Sequence, residues 1–110
     1  MNWIDLADEQ HLNNLKELSA QKAQLIFKHS TRCGISSMVK SRLERSTPPP
    51  DAIDFYYLDL IKHRQLSNKI AEDFSVDHQS PQVLLIKNGK CIYEESQTGI
   101  MMDDIIEQVL

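Results

Sequence analysis

Short apolar runs alternate with longer amphipathic segments along the 110 residues of this chain. A short apolar run bounded by turn residues predicts a buried strand, whereas apolar residues repeated every three or four positions predict a helix with one inward face. Strands and helices that alternate in this way favour a largely parallel sheet covered by helices. The chain length fits one domain, which we predict to span residues 1–110.

The predicted elements alternate up to a hairpin near the end of the chain. Strands are predicted at residues 3–6, 24–28, 53–61, 83–86 and 91–93, and helices after Asp8, from Cys33, at residues 63–74 and from Thr98 or Gly99. The inward face of the second helix is predicted to consist of Ile35, Met38, Val39 and Leu43, with Arg42 at its edge. Residues 46–50 end in three consecutive prolines, which cannot continue a helix and predict a connector.

The order of these elements predicts the sheet. It reads strand, helix, strand, helix, strand, helix, strand, strand, helix. Two helical crossovers give parallel neighbours, while the two-residue turn at Asn88 and Gly89 forces one antiparallel pair. The predicted fold class is therefore α/β, with a central mixed sheet and helices on both faces. Several α/β folds share this alternation, and the order resembles the thioredoxin arrangement.

Charge and apolar pattern disfavour several classes of partner. Twelve Lys and Arg residues against sixteen Asp and Glu residues give a net charge of -4, which disfavours nucleic acid binding. No apolar run approaches the roughly 18 residues of a membrane span, and the acidic start of the chain is unlike a signal peptide. Two cysteines in such a chain suggest a reducing compartment. We therefore predict a cytoplasmic protein that binds neither nucleic acid nor membranes.

Cys33 is the strongest candidate for a reactive residue. It follows a predicted strand and a polar turn and lies in the first turn of a predicted helix. The amide donors and the positive dipole end of that helix favour a thiolate, and the adjacent Arg32 adds a positive charge. The flanking residues Thr31, Gly34 and Ser36 are polar or small. We therefore expect an exposed catalytic nucleophile rather than a buried apolar cysteine.

The site lacks a local partner for a disulfide. Ser36 occupies the position at which a C-x-x-C oxidoreductase carries its second cysteine, so Cys33 is expected to work alone. The Ser36 hydroxyl is expected either to bond the Cys33 sulfur or to satisfy a first-turn amide. If Pro81 lies beside Cys33, then Cys91 lies beyond the hairpin, about 20 Å away along the strand. That exceeds the reach of a disulfide, so Cys91 is predicted to be a packed strand residue opposite Ile86.

The segment before the fourth strand supplies two further candidates, Ser80 and Pro81. In a thioredoxin-like arrangement Pro81 would be a cis-proline beside Cys33. Ser80 would then expose backbone donor and acceptor groups that align an incoming disulfide as an added strand. An ordinary loop proline is the alternative interpretation.

Two histidines and a lysine flank these segments. His29 and His78 are candidates for proton transfer to a leaving thiol, although a lone histidine more often has a structural or surface role. Lys28, next to His29, is a further candidate site residue. The two cysteines and four histidines show no metal-ligand spacing, so no metal site is predicted.

Two segments together resemble the YtxJ family of monothiol bacilliredoxins. They are residues 28–36, KHSTRCGIS, and residues 76–86, VDHQSPQVLLI. Their order and spacing match that family, and the similarity runs from Trp3 through the last strand. The resemblance implies a thioredoxin-like fold and an enzyme, a monothiol thiol–disulfide oxidoreductase. Its activity would be the removal of bacillithiol from protein mixed disulfides, with Cys33 as the attacking residue.

The resemblance also carries expectations about partners and site residues. It implies bacillithiol as co-substrate with no tightly bound cofactor, and it implies bacillithiolated proteins and a reductase that recycles bacillithiol as partners. The residues expected to stabilise the thiolate or bind substrate are Arg32, Gly34, Ser36, Ser80 and Pro81. Family members often carry proline after the cysteine and a Ser-His pair after the last strand. This chain has Gly34 and Ser96-Gln97 at those places.

Two alternative functions are left open. Residues 33–36, CGIS, also resemble the C-G-F-S site of monothiol glutaredoxins, which hold an iron–sulfur cluster with glutathione. Those proteins usually have paired glycines after the last strand, where this chain has Thr98-Gly99-Ile100. The second alternative is a non-enzymatic thioredoxin-like module that recruits a partner through the edge at Pro81.

Overall fold

Five strands and four α-helices follow one another in the predicted order within residues 1–46 and 51–110, which the computed structural model describes. The elements are β1 (Ile4–Asp5), α1 (Glu9–Leu18), β2 (Ala23–His29), α2 (Gly34–Arg45), β3 (Ile53–Asp59), α3 (Arg64–Phe74), β4 (Gln82–Lys87), β5 (Lys90–Ser96), a 3-10 turn (Gln97–Gly99) and α4 (Met102–Glu107). The predicted connector lies, from Thr47 to Pro50, outside the described residues. No helix in the described ranges is long and apolar enough to cross a membrane.

The strands form one mixed sheet in the order β1-β3-β2-β4-β5. β1 and β2 both pair in parallel with β3, as the helical crossovers predict. β4 pairs antiparallel with β2 as well as with β5, so the expectation of a single antiparallel pair is wrong. The reason is that the segment between β3 and β4 starts and finishes at one end of the sheet. At that end His29 lies opposite Asp59, and Lys28 lies opposite Gln82; we call it the His29 end.

Helices cover both faces of the sheet, as predicted. On one face the buried helix residues are Val39 and Leu43 of α2 and Met102 and Ile105 of α4. On the other face they are Leu12 and Leu15 of α1 and Leu66 and Ile70 of α3. Consecutive strand residues point to opposite faces. Phe27 and His29 therefore lie on the α2 face, whereas Lys28 lies on the face covered by α1 and α3.

The inward face of α2 differs from the prediction at its first turns. Val39 and Leu43 are buried, but Ile35 and Met38 are 43% and 45% exposed. Buried Ser36 takes the first inward position instead. The reason lies in tertiary packing, because the first turn of α2 meets the polar end of β2 rather than its apolar middle.

The last helix begins later than predicted. A start at Thr98 or Gly99 is wrong, since α4 spans Met102–Glu107 and the 3-10 turn precedes it. The Arg42 guanidinium donates hydrogen bonds to the carbonyls of Thr98 and Ile100. These contacts with α2 occupy carbonyls that a helix starting at residue 98 would use for its own ladder.

The β4–β5 hairpin is confirmed. Asn88 and Gly89 have φ angles of 53° and 75°, the positive values that a two-residue type I′ turn requires. Cys91 pairs with Ile86, as predicted, beside a register irregularity in the ladder. Ile86 lies five residues beyond Pro81, or about 17 Å along an extended strand. The hairpin therefore carries Cys91 away from the His29 end of the sheet.

Candidate active site

Cys33 caps the N-terminus of α2 at the His29 end of the sheet. Its amide donates to the Ser30 carbonyl over 3.1 Å, which closes a turn, and its carbonyl accepts the Ser37 amide over 3.1 Å. The residue is half-buried, and its side chain forms no capping hydrogen bond. The sulfur therefore lies beside the positive end of a helix, where negative charge is stabilised.

Arg32 and Gly34 flank Cys33 at the surface, and both are exposed. None of the ion pairs among the described residues includes Arg32, so its charge is available to an anion that approaches Cys33. A Cβ added to Gly34 would meet no atom within 4 Å. Space at the first position of α2 therefore does not require a glycine.

Ser36 and His29 form a buried pair beneath the turn that carries Cys33. Ser36 Oγ lies 2.6 Å from His29 Nδ1 and accepts the Ser30 amide over 3.1 Å. Ser36 is completely buried, although Arg32 and Gly34 beside Cys33 are exposed as expected. Among the described residues its hydroxyl takes neither predicted role, because it bonds the loop amide and a histidine instead of the sulfur or a first-turn amide. The contact fixes the end of β2, the loop and α2 relative to one another.

The His29 imidazole is packed between aromatic rings. Its centroid lies 5.7 Å from that of Phe27 and 5.5 Å from that of Tyr57. Burial lowers the pKa of His29, and the charge of Lys40 acts in the same direction. A neutral, buried ring bonded to Ser36 suits a positioning role. Proton transfer from His29 to a leaving thiol stays a prediction.

Lys28 and His78 meet on the opposite face of the sheet from α2. Lys28 is completely buried, and its Nζ donates to the Ser67 carbonyl over 3.1 Å and lies 3.3 Å from His78 Nδ1. Ser67 Oγ also lies 3.3 Å from His78 Nδ1. Burial lowers the pKa of Lys28 to about 8, and the pKa of His78 is lowered first by burial and then by the charges of Lys28 and Arg64. This cluster holds the segment before Pro81 against α3 rather than facing Cys33.

Ser80 and Pro81 lie directly before β4, at the His29 end. The bond between them is cis, as the thioredoxin-like interpretation expects. Gln97 Nε2 donates to the Ser80 carbonyl over 2.8 Å, so the backbone acceptor that we expect to be open already accepts one hydrogen bond within the chain. Ser80 Oγ is buried without a hydrogen-bond partner among the described residues. Sequence reasoning noted Gln97 only as a departure from the family pattern, because no local signal shows that its side chain reaches residue 80.

Cys91 lies in a different environment from Cys33. Both thiols are free, but Cys91 Sγ donates to the Tyr93 carbonyl over 3.3 Å and packs against the core on the α1 and α3 face. Burial raises the pKa of the Cys91 thiol. The prediction that Cys91 is a packed strand residue opposite Ile86 is therefore confirmed.

Cys33 should be alkylated at least about tenfold faster than Cys91 by iodoacetamide at neutral pH. Cys33 lies at a helix N-terminus between the exposed residues Arg32 and Gly34, whereas Cys91 packs against the core and burial raises the pKa of its thiol. Peptide mapping after short exposures measures both rates in one sample. Labelling in urea is the control, because the two rates should converge once the fold is lost; equal rates in the folded protein would contradict the expectation.

Comparisons with known proteins agree with this geometry. The sequence profile of the family described as monothiol bacilliredoxin BrxC matches residues 4–105. The chain belongs to this family. A solved structure assigned as an oxidoreductase with a thioredoxin fold is 26% identical, with a TM-score of 0.81 over 97% of this chain and 93% of that chain. Thioredoxin from Malassezia sympodialis is 17% identical, with a TM-score of 0.76 over 98% and 88% of the two chains.

A third similar structure has the same fold. It is a complex of ferredoxin:thioredoxin reductase with thioredoxin f2, 13% identical to this chain, with a TM-score of 0.71 over 96% of this chain and 89% of that chain. The fold is thus thioredoxin-like. Family membership makes the chain a thiol redox protein, with thiol–disulfide exchange as its class of chemistry.

Proposed function

We propose that the chain removes bacillithiol from protein mixed disulfides, with Cys33 as the only reacting thiol. The observation that carries this proposal is the isolation of Cys33 at the N-terminus of α2. Ser36 replaces a second cysteine and is bonded to His29, and Cys91 lies at the far end of the β4–β5 ladder. A site with one thiol and no resolving partner suits exchange with a small thiol from solution.

The reaction runs in two exchanges. The Cys33 thiolate attacks the bacillithiol sulfur of the modified protein, the mixed disulfide breaks, and the protein leaves as a thiolate that takes a proton from water. Cys33 then carries bacillithiol as a mixed disulfide. A second bacillithiol thiolate attacks the bacillithiol sulfur of that adduct, which releases bacillithiol disulfide and regenerates Cys33. A reductase then returns bacillithiol disulfide to two thiols.

The residues around Cys33 have separate roles in this proposal. The helix N-terminus and Arg32 attract the negatively charged small thiol. The buried bonds of Ser36 with His29 and with the Ser30 amide position the turn that carries the sulfur. Bacillithiol acts as a diffusible co-substrate, bacillithiolated proteins are the substrates, and a reducing cytoplasm is the compartment in which the thiolate persists.

The proposal is tested by transfer of the small thiol. Reduced chain is mixed with a protein that carries one bacillithiol mixed disulfide, quenched in acid, and analysed by intact mass spectrometry. We expect one bacillithiol adduct, mapped to Cys33, together with one free thiol on the substrate protein. A chain that takes no bacillithiol, but binds an iron–sulfur cluster with visible absorbance when reconstituted with glutathione, would overturn the proposal in favour of a glutaredoxin-like carrier.

A further inference from the structure

Gln97 donates two hydrogen bonds to the backbone immediately before β4. Its Nε2 donates to the Ser80 carbonyl over 2.8 Å, and its backbone amide donates to the Pro81 carbonyl over 3.0 Å. Gln97 has a φ of 56°, in the left-handed region that glutamine seldom adopts. The two hydrogen bonds hold this conformation and keep the side-chain amide on Ser80.

The turn that carries Gln97 is also attached to α2, the helix that Cys33 caps. Arg42 Nη2 donates to the Thr98 carbonyl over 2.9 Å. On the other side of the turn, Gly99 lies so close to Glu95 that an added Cβ would come within 2.9 Å of its carboxyl carbon. The turn that carries Gln97 is therefore anchored to α2, and the Gln97 side chain is half-buried.

An open carbonyl at Ser80 would affect how a protein substrate docks. Extended peptides bind sheets through backbone hydrogen bonds, which align the peptide as an added strand. A peptide aligned on Ser80 would lie at the His29 end of the sheet, the end at which Cys33 caps α2, and would present its own cysteine sulfur to the nucleophile. In a mixed disulfide between a protein and a small thiol, that sulfur is the unproductive one, because attack on it leaves Cys33 bound to the protein.

We propose that Gln97 determines which of the two sulfurs Cys33 attacks; this inference rests on the proposed function. In the productive exchange the Cys33 thiolate bonds the small-thiol sulfur, and the protein leaves as a thiolate that is protonated by water. In the competing exchange Cys33 bonds the protein sulfur, and the small thiol leaves as the thiolate. Because the Gln97 side-chain amide already bonds the Ser80 carbonyl, a substrate peptide has to compete with it for that acceptor, which weakens the alignment of the peptide as an added strand. The small-thiol half of the substrate then competes better for the Cys33 sulfur. Gln97 is thus a specificity-determining residue that acts through Ser80.

The test is a single-turnover reaction with a peptide whose one cysteine carries bacillithiol. The reaction is quenched in acid, and intact mass spectrometry separates the bacillithiol adduct of Cys33 from the heavier peptide adduct. We expect the wild-type chain to form mainly the bacillithiol adduct. Gln97→Gly removes the donor and suits the positive φ, so it should shift the adduct ratio about fivefold toward the peptide, the effect of one backbone hydrogen bond.

Two further variants separate this role from a structural one. Gln97→Met keeps a side chain of similar length without a donor and should shift the ratio in the same direction. Thr98→Ala changes the exposed neighbouring side chain and should leave the ratio as in the wild type. A reduced total rate with an unchanged ratio in both Gln97 variants would mean that Gln97 only stabilises the turn, and would overturn the inference. A wild-type chain that forms no Cys33 adduct would instead contradict the proposed function.

Discussion

Replacing Cys33 by serine should abolish the removal of bacillithiol from protein mixed disulfides, whereas Cys91→Ser should keep full activity. In the proposed mechanism Cys33 supplies the attacking sulfur at the N-terminus of α2, and a serine hydroxyl does not ionise near neutral pH to replace it. Cys91 pairs with Ile86 at the far end of the hairpin, beyond the reach of a disulfide to Cys33. The measurement is the rate at which free thiol appears on a bacillithiolated substrate protein, with free bacillithiol present.

Each variant also has a second readout. Thermal unfolding of Cys33→Ser should match that of the wild type, because the Cys33 side chain is only half-buried and forms no capping hydrogen bond. Peptide mapping of wild-type chain oxidised by bacillithiol disulfide should find one bacillithiol on Cys33, with the other released as a thiol, and no bridge between Cys33 and Cys91. An internal bridge, or a Cys91→Ser variant that reacts once and then stops, would refute the single-thiol mechanism.

The stability of the wild-type chain relative to Lys28→Met should rise by about 2 kcal/mol between pH 8 and pH 10.5. Lys28 is completely buried with its Nζ on the Ser67 carbonyl, and burial lowers its pKa from 10.5 to about 8. Below pH 8 the amine is charged in both the folded and the unfolded chain, so the cost of burying the charge is present in full. Between the two pKa values the unfolded chain binds more protons, so stability rises with pH. Above pH 10.5 the gain is complete.

Urea unfolding of both proteins at several pH values measures this difference. Lys28→Met keeps the length of the buried side chain but removes the titrating group. Ionisation of buried tyrosines such as Tyr56, whose pKa is raised by burial, lowers the stability of both proteins at high pH and cancels in the difference. His78 titrates below the window, since its pKa is lowered from 6.5. A difference that stays constant from pH 8 to pH 10.5 would show that Lys28 titrates as an exposed lysine does.

The sequence by itself determined the order of the elements and the position of Cys33 at the N-terminus of α2. Apolar periodicity locates each strand and helix because a strand buries alternate residues and a helix buries every third or fourth one. The turn at Asn88 and Gly89 is predictable from the sequence, because a type I′ turn requires positive φ at both positions and Asn-Gly is the pair that adopts it most readily. The position of Cys33 is predictable because it depends only on the neighbouring strand and helix, and these local elements decide whether a thiol lies at a helix N-terminus.

Only the tertiary structure decided which residues share a face or a hydrogen bond across distant segments. The inward rotation of α2 that buries Ser36 in place of Ile35 depends on which part of β2 the helix meets. The contact of Gln97 with Ser80 joins residues 17 apart in sequence, and that of Lys28 with Ser67 joins residues 39 apart. Such contacts depend on the antiparallel pairing of β4 with β2 and on the turn before α4. Neither feature produces a periodic pattern of apolar residues in the sequence. Side-chain hydrogen bonds require donor and acceptor within about 3 Å, and only the folded backbone brings them there.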